Sequence, residues 1–191
     1  MLRQFTAAAG MLAVLTVLTG LVYPLAVTGA AQAAFGHRAD GSIVERDGEA
    51  VGSELIGQPF DGEGYFHPRP SAIGYDGADS GGANLGPSDE GLLEDIEARA
   101  EEYRAENGLA DDAEVPVDAV TASASGLDPH ITVANARLQT ARVAQARGVD
   151  TAEVARLVDG STTGRALGVL GEEGVNVLEL NLALDEEAPV P

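Results

Sequence analysis

The 191-residue chain contains no cysteine, no lysine and no tryptophan. The lack of cysteine excludes disulfides, thiol catalysis and cysteine-ligated metal sites. Every one of its eleven basic residues is therefore arginine, and they stand against thirty-one acidic residues, for a formal net charge of -20. A chain with no surplus of cations is poorly suited to displace phosphate counterions, so we expect no nucleic-acid partner. We interpret the acidic, halophile-like surface as adaptation to salt, and a surface that attracts cations is the alternative.

Histidine is also scarce, and no motif of metal-ligating residues surrounds it. His37, His67 and His130 stand far apart in the chain, without a second histidine or an acid at helical spacing. A metal site needs several such ligands at defined spacing, and we predict none.

Charge is missing altogether from positions 5–35. As an α-helix, the apolar residues 5–27 would extend about 35 Å, enough to cross a hydrocarbon core of about 30 Å. We predict a single-pass membrane anchor over about 5–27, within an N-terminal segment 1–36. The side chains expected to face lipid are Phe5, Leu12, Leu15, Leu18, Leu21 and Tyr23. A cleaved secretory signal is the alternative, because Ala31-Gln32-Ala33 resembles a cleavage site, but a signal's apolar region is shorter, about 7–15 residues.

The orientation of the anchor depends on weak signals. Arg3 lies before the apolar run and Arg38 and Arg46 lie after it, so the positive-inside rule does not decide. The acidic bulk of the chain and its lack of cysteine favour the exterior over an anionic cytoplasmic leaflet. We predict a plasma-membrane protein with a cytoplasmic N-terminus and an extracytoplasmic main domain.

Residues 37–191 have the length of one domain, which ends in an acidic tail at 185–191. The fold class that the patterns predict is α+β: one transmembrane helix followed by a single mixed α/β extracytoplasmic domain. The predicted elements are a hairpin around Arg46-Asp47-Gly48, an aromatic-rich loop over 57–87, a helix from Ser88 to Gly108, a strand over 115–120, helices over 132–147 and from Asp150 to Gly160, and a strand over 175–184.

Two polar clusters could carry chemistry. Ser123, Ser125, Asp128 and His130 are the residue types of a serine hydrolase, but no Gly-x-Ser-x-Gly elbow surrounds either serine. We therefore favour turn-forming roles and assign no catalytic residue, which leaves enzymatic activity uncertain.

A glycine-rich stretch over 80–84 could cradle a nucleotide or another anion with its backbone amides. The candidate residues are Ser80, Gly81, Gly82 and Asn84. No lysine follows to reach a phosphate, so a structural turn is the favoured interpretation. For Arg137, Arg142 and Arg147, the densest cations of the chain, we predict exposed ion pairs of little energetic weight.

Five longer blocks occur in a recognisable order: GSELIGQPF at 52–60, GYFHPRPSA at 64–72, SGGANL at 80–85, VTASASGLDPHI at 120–131 and VNVLELNLALD at 175–185. Together with the anchor they closely resemble the C subunit of the Kdp-type potassium-transporting ATPase. The residues that carry the resemblance include Gly57, Gln58, Tyr65, Phe66, Arg69, Pro70, Ser71, Thr121, Ser123, Ser125, Gly126 and Asp128. The chain departs from it in an unusually acidic segment at 89–106, the lack of lysine and the acidic tail.

The resemblance implies an accessory, assembly-stabilising subunit of a high-affinity, ATP-driven potassium import complex. In that family the subunit is also described as a catalytic chaperone that raises the ATP affinity of the ATPase subunit. The implied partners are a channel-like potassium-binding subunit, a P-type ATPase subunit, a small hydrophobic subunit and the lipid bilayer. ATP and potassium would belong to the complex and not to a motif of this chain. The alternatives are an anchored or secreted serine hydrolase and an extracellular binding module.

Overall fold

The computed structural model describes residues 1–190 and divides into two compact units, Met1–Val51 and Gly52–Pro191. The elements of the N-terminal part are α1 (Leu2–Val17), a π-helical turn (Leu18–Val22), α2 (Tyr23–Ala39), β1 (Ile43–Arg46) and β2 (Glu49–Ser53). They are followed by α3 (Glu90–Glu106), α4 (Val117–Val120), β3 (His130–Ile131), α5 (Val133–Arg147), α6 (Thr151–Gly160), β4 (Thr162–Thr163), β5 (Gly174–Asn176) and α7 (Val177–Glu187).

The first unit is dominated by a helical stretch from Leu2 to Ala39, which is long and apolar enough to cross a membrane. All six predicted anchor side chains are exposed on its surface: Phe5, Leu12, Leu15, Leu18, Leu21 and Tyr23. A π-helical turn interrupts the stretch just before Pro24. Proline has no N–H and its ring clashes with a preceding carbonyl, so a wider turn accommodates it. The stretch is compatible with a single membrane span and extends beyond the predicted one.

The predicted hairpin is confirmed as β1 and β2, which form a two-stranded sheet. Its turn residues Asp47 and Gly48 have φ angles of 55° and 83°. Two successive left-handed residues are the requirement of a type I′ turn, and Asp-Gly is among the dipeptides that best supply it.

In the second unit, helices α5, α6 and α7 pack with a small antiparallel sheet of strand order β3-β5-β4. The central strand β5 pairs Val175 with both Ile131 and Thr162. The core is formed by Phe66, Ile131, Ala136, Val143, Ala144, Val154, Leu157, Val158, Val175, Val177, Leu180 and Leu184. This mixture of helices and sheet agrees with the predicted α+β class.

Three helices were predicted between Ser88 and Gly160, and the structure contains all three as α3, α5 and α6. The Thr132 hydroxyl accepts from the Asn135 N–H at the start of α5, which ends at Gly148 with a φ of 68°. Asp150 caps α6 through the Ala152 N–H. At α3 the capping residue is Asp89 and not Ser88, because the Asp89 carboxylate accepts from two first-turn amides.

Two predicted strands are wrong. Residues 117–120 form the short helix α4, since Pro116 has a fixed φ suited to the start of a helix. Of the strand predicted over 175–184, only Val175 and Asn176 lie in a strand, β5, and Asn176 then caps α7 by accepting from the Glu179 N–H. The alternating leucines suggested a strand, but Leu180, Asn181 and Leu184 are buried at helical spacing. The cap and the high helix propensity of leucine decide the outcome.

Candidate functional site

The segment 63–67 contains part of the resemblance motif and is held by side chains instead of by a neighbouring strand. Asn181 on α7 accepts from the Phe66 N–H at 2.8 Å and donates to the Phe66 carbonyl at 3.0 Å. Gln139 on α5 does the same for His67, at 2.7 and 3.2 Å. Two side-chain amides therefore replace the ladder that a partner strand would provide, and Phe66 between them is completely buried.

Two arginines of α5 complete this attachment. Arg142 donates through one nitrogen to the carbonyls of Glu63 and Tyr65, at 2.6 and 3.0 Å. Arg147 donates to the Gly64 carbonyl at 2.6 Å, and its guanidinium lies 4.8 Å from the centre of the Tyr65 ring. Their fractional exposures are only 8% and 2%.

The predicted exposure is therefore wrong for Arg142 and Arg147, although Arg147 does pair with an acid, Asp185, at 2.9 Å. Only Arg137 fits it, since it meets Asp159 at 3.4 Å with both side chains about two-thirds exposed. Burial of the other two is possible because the planar guanidinium donates in several directions at once, which lets backbone carbonyls satisfy it.

A second cluster forms around Arg69. Its guanidinium donates to the Asp128 carboxylate at 3.0 Å and to the Thr121 carbonyl at 3.4 Å. The other Asp128 oxygen accepts from the His130 N–H at 3.0 Å. His130, and then Arg69, lower the pKa of Asp128 to about 2, and Asp128 in turn raises the pKa of His130.

The glycine-rich stretch lies against the motif segment 121–127. Gly81 donates its N–H to the Ser125 carbonyl at 2.9 Å, and the Ser80 hydroxyl donates to the same oxygen at 3.1 Å. A Cβ at Gly82 would lie 2.9 Å from the Ala124 carbonyl oxygen. Asn84 turns its amide back onto the Gly82 carbonyl. These contacts use one of the amides that an anion cradle would need, and they account for Gly82 as a packing residue.

The remaining motif residues also bond to nearby backbone. Gly57 donates to the Leu127 carbonyl at 2.8 Å, and a Cβ at Gly57 would lie 2.7 Å from the Asp128 carbonyl oxygen. The Ser71 hydroxyl donates to the Gly126 carbonyl at 2.7 Å. The Gln58 amide donates to Ser53 and Ile56, the Thr121 hydroxyl donates to Val117, and Pro70 lines a shallow recess next to Tyr103.

The two candidate serines form a turn. Their hydroxyls lie 3.4 Å apart, and the Ser125 oxygen accepts from the Leu127 N–H. The His130 ring faces Asp128, 3.8 Å away. Over residues 1–190 no hydrogen bond joins His130 to either serine, so the described side chains do not form a nucleophile-and-base pair.

Sequence reasoning missed the polar side chains that organise these loops. Asp118 on α4 accepts from the Thr132 N–H and hydroxyl and from the Asn135 amide, at 2.8 to 3.0 Å. Asn135 accepts in turn from Tyr103, whose pKa is raised by burial. A signal was present, because Asn135, Gln139 and Asn181 lie on otherwise buried helix faces, where a polar residue must find partners.

The model of the family described as KdpC, K+-transporting ATPase, c chain, matches residues 5–186. The chain belongs to this family. The KdpC match includes the apolar helix and all five motif blocks up to residue 185, as the sequence resemblance predicted.

Curated KdpC relatives match over nearly the whole chain. The potassium-transporting ATPase KdpC subunit of Mycobacterium tuberculosis is 57% identical over 187 residues, which is 97% of this chain and 99% of the relative. The KdpC subunit of Rhodospirillum rubrum is 52% identical over 192 residues, covering 100% and 99%. That of Koribacter versatilis is 51% identical over 183 residues, covering 95% and 93%.

Proposed function

We propose that this chain is an accessory, assembly-stabilising subunit of an ATP-driven potassium import complex. The observation that carries the proposal is the KdpC family match over residues 5–186, which includes both the apolar helix and the folded unit. The curated relatives at 50–57% identity are named as subunits of a potassium-transporting ATPase.

The geometry supports a scaffold more than a catalyst. Arg69, Asp128 and Gly57 tie loops to each other, and Arg142 and Arg147 tie a loop to a helix. Arg142 and Arg147 are buried and every nitrogen of their guanidinium groups donates a hydrogen bond, and a buried polar network satisfied in this way rigidifies a domain. A rigid domain presents a fixed surface to other proteins, which is what an assembly factor requires.

For the complex we propose the arrangement that the sequence predicted. The apolar helix spans the plasma membrane with its N-terminus in the cytoplasm, and the folded unit lies outside. Its companions are a channel-like potassium-binding subunit, a P-type ATPase subunit and a small hydrophobic subunit. Cytosolic ATP would not reach the stretch at 80–84 in this topology, so a rise in ATP affinity would act indirectly, by favouring one conformation of the complex.

Purification tests the assembly role. A tagged chain should recover the companion subunits in mild detergent, and potassium-stimulated ATPase activity should fall when the chain is deleted from the complex. Recovery of the chain from the culture medium, trimmed behind Ala33 and alone, would contradict the proposal.

Labelling tests the topology, because the natural chain has no cysteine. An impermeant maleimide added to intact cells should label Glu97→Cys on α3 and should leave Arg3→Cys unlabelled. Both positions are exposed in the structure, so accessibility in the folded protein does not confound the comparison. The reverse labelling pattern would show that the orientation is wrong.

A further inference from the structure

A hairpin between α6 and β5 presents apolar side chains to solvent. Ala166 and Leu170 pair across it with hydrogen bonds of 2.8 and 2.9 Å. Between them the chain turns at Leu167 and Gly168, whose φ angles are 55° and 75°. Leu167 is 90% exposed, Val169 74% and Leu170 58%. We call these three side chains the apolar tip.

Folding alone gives no reason for a leucine at this turn. Two successive left-handed residues favour Asn, Asp or Gly at the first position, and a leucine there is strained as well as exposed. The other hairpin of this chain meets the same requirement with Asp47 and Gly48. Local rules broken in this way are expected where a residue serves a function other than folding.

The surroundings of the apolar tip are acidic. Ala166 and Leu170 border a cavity of about 450 Å³ that is also lined by acidic and basic side chains. Those charged residues are Arg69, Asp118, Asp128, His130, Glu172 and Glu173. Asp118 and Asp128 are engaged by internal hydrogen bonds, and Arg165 meets Glu172 at 3.6 Å. The border therefore has a net negative charge, which complements a basic surface and disfavours an anionic lipid surface.

The size of the apolar tip limits what can bind to it. Three aliphatic side chains of this kind offer about 200–350 Å² of apolar area. A stable dimer needs about 800 Å² from each partner, so a second copy of the chain is not held by this patch alone. A companion subunit held in the same membrane needs much less buried area, because tethering raises its effective concentration.

We propose that the apolar tip docks into an apolar recess with a basic border on a companion subunit of the ATPase complex. The inference rests on the proposed function, and it assigns Leu167, Val169 and Leu170 as the docking side chains. The contact is part of assembly and is separate from the packing that stabilises the fold.

Leu167→Asn separates docking on a companion subunit from stabilisation of the fold. Asparagine suits the left-handed turn, so the thermal stability of the full chain in detergent should stay the same or rise. Recovery of companion subunits with the tagged chain should fall about tenfold, as expected from losing one buried leucine. Val169→Thr keeps the shape of the side chain and leaves both left-handed residues in place, and it should weaken recovery in the same direction. Leu93→Gln, which removes a 53% exposed leucine on α3, is the matched control and should leave recovery unchanged.

The outcomes distinguish this inference from the proposed function. If the natural chain recovers no companions, the proposed function fails. If it recovers them and Leu167→Asn does so equally well, the docking assignment alone is wrong.

A single polarity-sensitive label on Val169→Cys identifies the occupant. A blue shift that requires the companion subunits supports the proposal. Quenching by spin-labelled lipid in nanodiscs that hold this chain alone would place the tip in the membrane and overturn it. A shift that depends on the concentration of this chain alone would indicate self-association and would also overturn it.

Discussion

Replacement of Arg147 by methionine should be one of the most damaging single changes in the folded unit. The Arg147 side chain has no exposed area, and it joins three parts of the chain. It donates to the carbonyls of Gly64 and Ala188 and to the Asp185 carboxylate, at 2.6, 2.8 and 2.9 Å. Methionine fills a similar volume but donates to none of these three acceptors, although the Asp185 carboxylate keeps its hydrogen bond from the Tyr65 hydroxyl.

The size of the effect follows from the three hydrogen bonds that are lost. A buried carbonyl that loses its partner costs about 1–3 kcal/mol, and breaking a buried ion pair by removing one partner costs about 3–5 kcal/mol. The Asp185 side chain is 26% exposed and keeps the hydrogen bond from Tyr65, which lowers its share of the loss, so we expect a total of about 4 kcal/mol. For a domain of this size that lowers the melting temperature by about 8–16 °C.

Arg147→Lys distinguishes charge from geometry. Lysine keeps the positive charge, but one ammonium cannot reach three acceptors arranged around a planar fork. Its cost should be intermediate, about 2 kcal/mol. Arg137→Met is the matched control, because Arg137 and Asp159 are both about two-thirds exposed and such pairs contribute about 0–1 kcal/mol.

The measurement is urea unfolding of the full chain in detergent, followed by circular dichroism because the chain has no tryptophan. The extrapolated free energy of unfolding should fall in the order natural chain, Arg137→Met, Arg147→Lys, Arg147→Met. If Arg147→Met unfolds within about 1 kcal/mol of Arg137→Met, the three hydrogen bonds of Arg147 do not stabilise the domain and the reasoning fails.

Three further predictions use the same unfolding assay. Gly57→Ala should cost about 1–3 kcal/mol, because the added Cβ would lie 2.7 Å from a backbone oxygen, while Gly86→Ala meets nothing within 4 Å and should cost less than about 1 kcal/mol; equal losses would contradict the packing. Phe66→Ala should cost about 3–5 kcal/mol, since Phe66 is fully buried, and a smaller loss would mean that the segment is not part of the core. Because the pKa of Asp128 is lowered, its ionised form stabilises the fold by about 1 kcal/mol after solvent screening. This contribution should be complete above about pH 4 and lost as the pH falls through about 2. The stability difference between the natural chain and Asp128→Asn should shrink over that window, and a constant difference would refute the assignment.

Much of this fold could be predicted from local signals. The apolar helix, the hairpin at Asp47-Gly48, the end of α5 at Gly148 and the cap at Asp150 depend on residues close together in the sequence, and all four are present. The strand over 175–184 failed because alternating leucines satisfy both a strand and a short helix, and Asn176 decides between them.

The arrangement of the motif residues was harder to predict, because it depends on long-range contacts. Arg69 and Asp128 are 59 residues apart, and Phe66 and Asn181 are 115 apart. A sequence pattern identifies such residues as unusual but does not identify their partners. The same limit explains the error on Arg147, whose acceptors are mostly backbone carbonyls, and carbonyls are present at every position of a sequence.

The two buried arginines also show how an acidic, lysine-free protein can stabilise its interior. In this chain a basic side chain that enters the interior must be arginine, and Arg142 and Arg147 do so by donating in several directions at once. Short hydrogen bonds in a buried site are screened little by salt, whereas exposed pairs such as that of Arg137 weaken as salt rises. If the acidic surface is an adaptation to salt, the free energy lost in Arg147→Met should therefore stay nearly constant between 0.1 and 1 M potassium chloride, while the small loss in Arg137→Met should vanish. Equal salt dependence of the two losses would show that the buried network does not differ electrostatically from the surface.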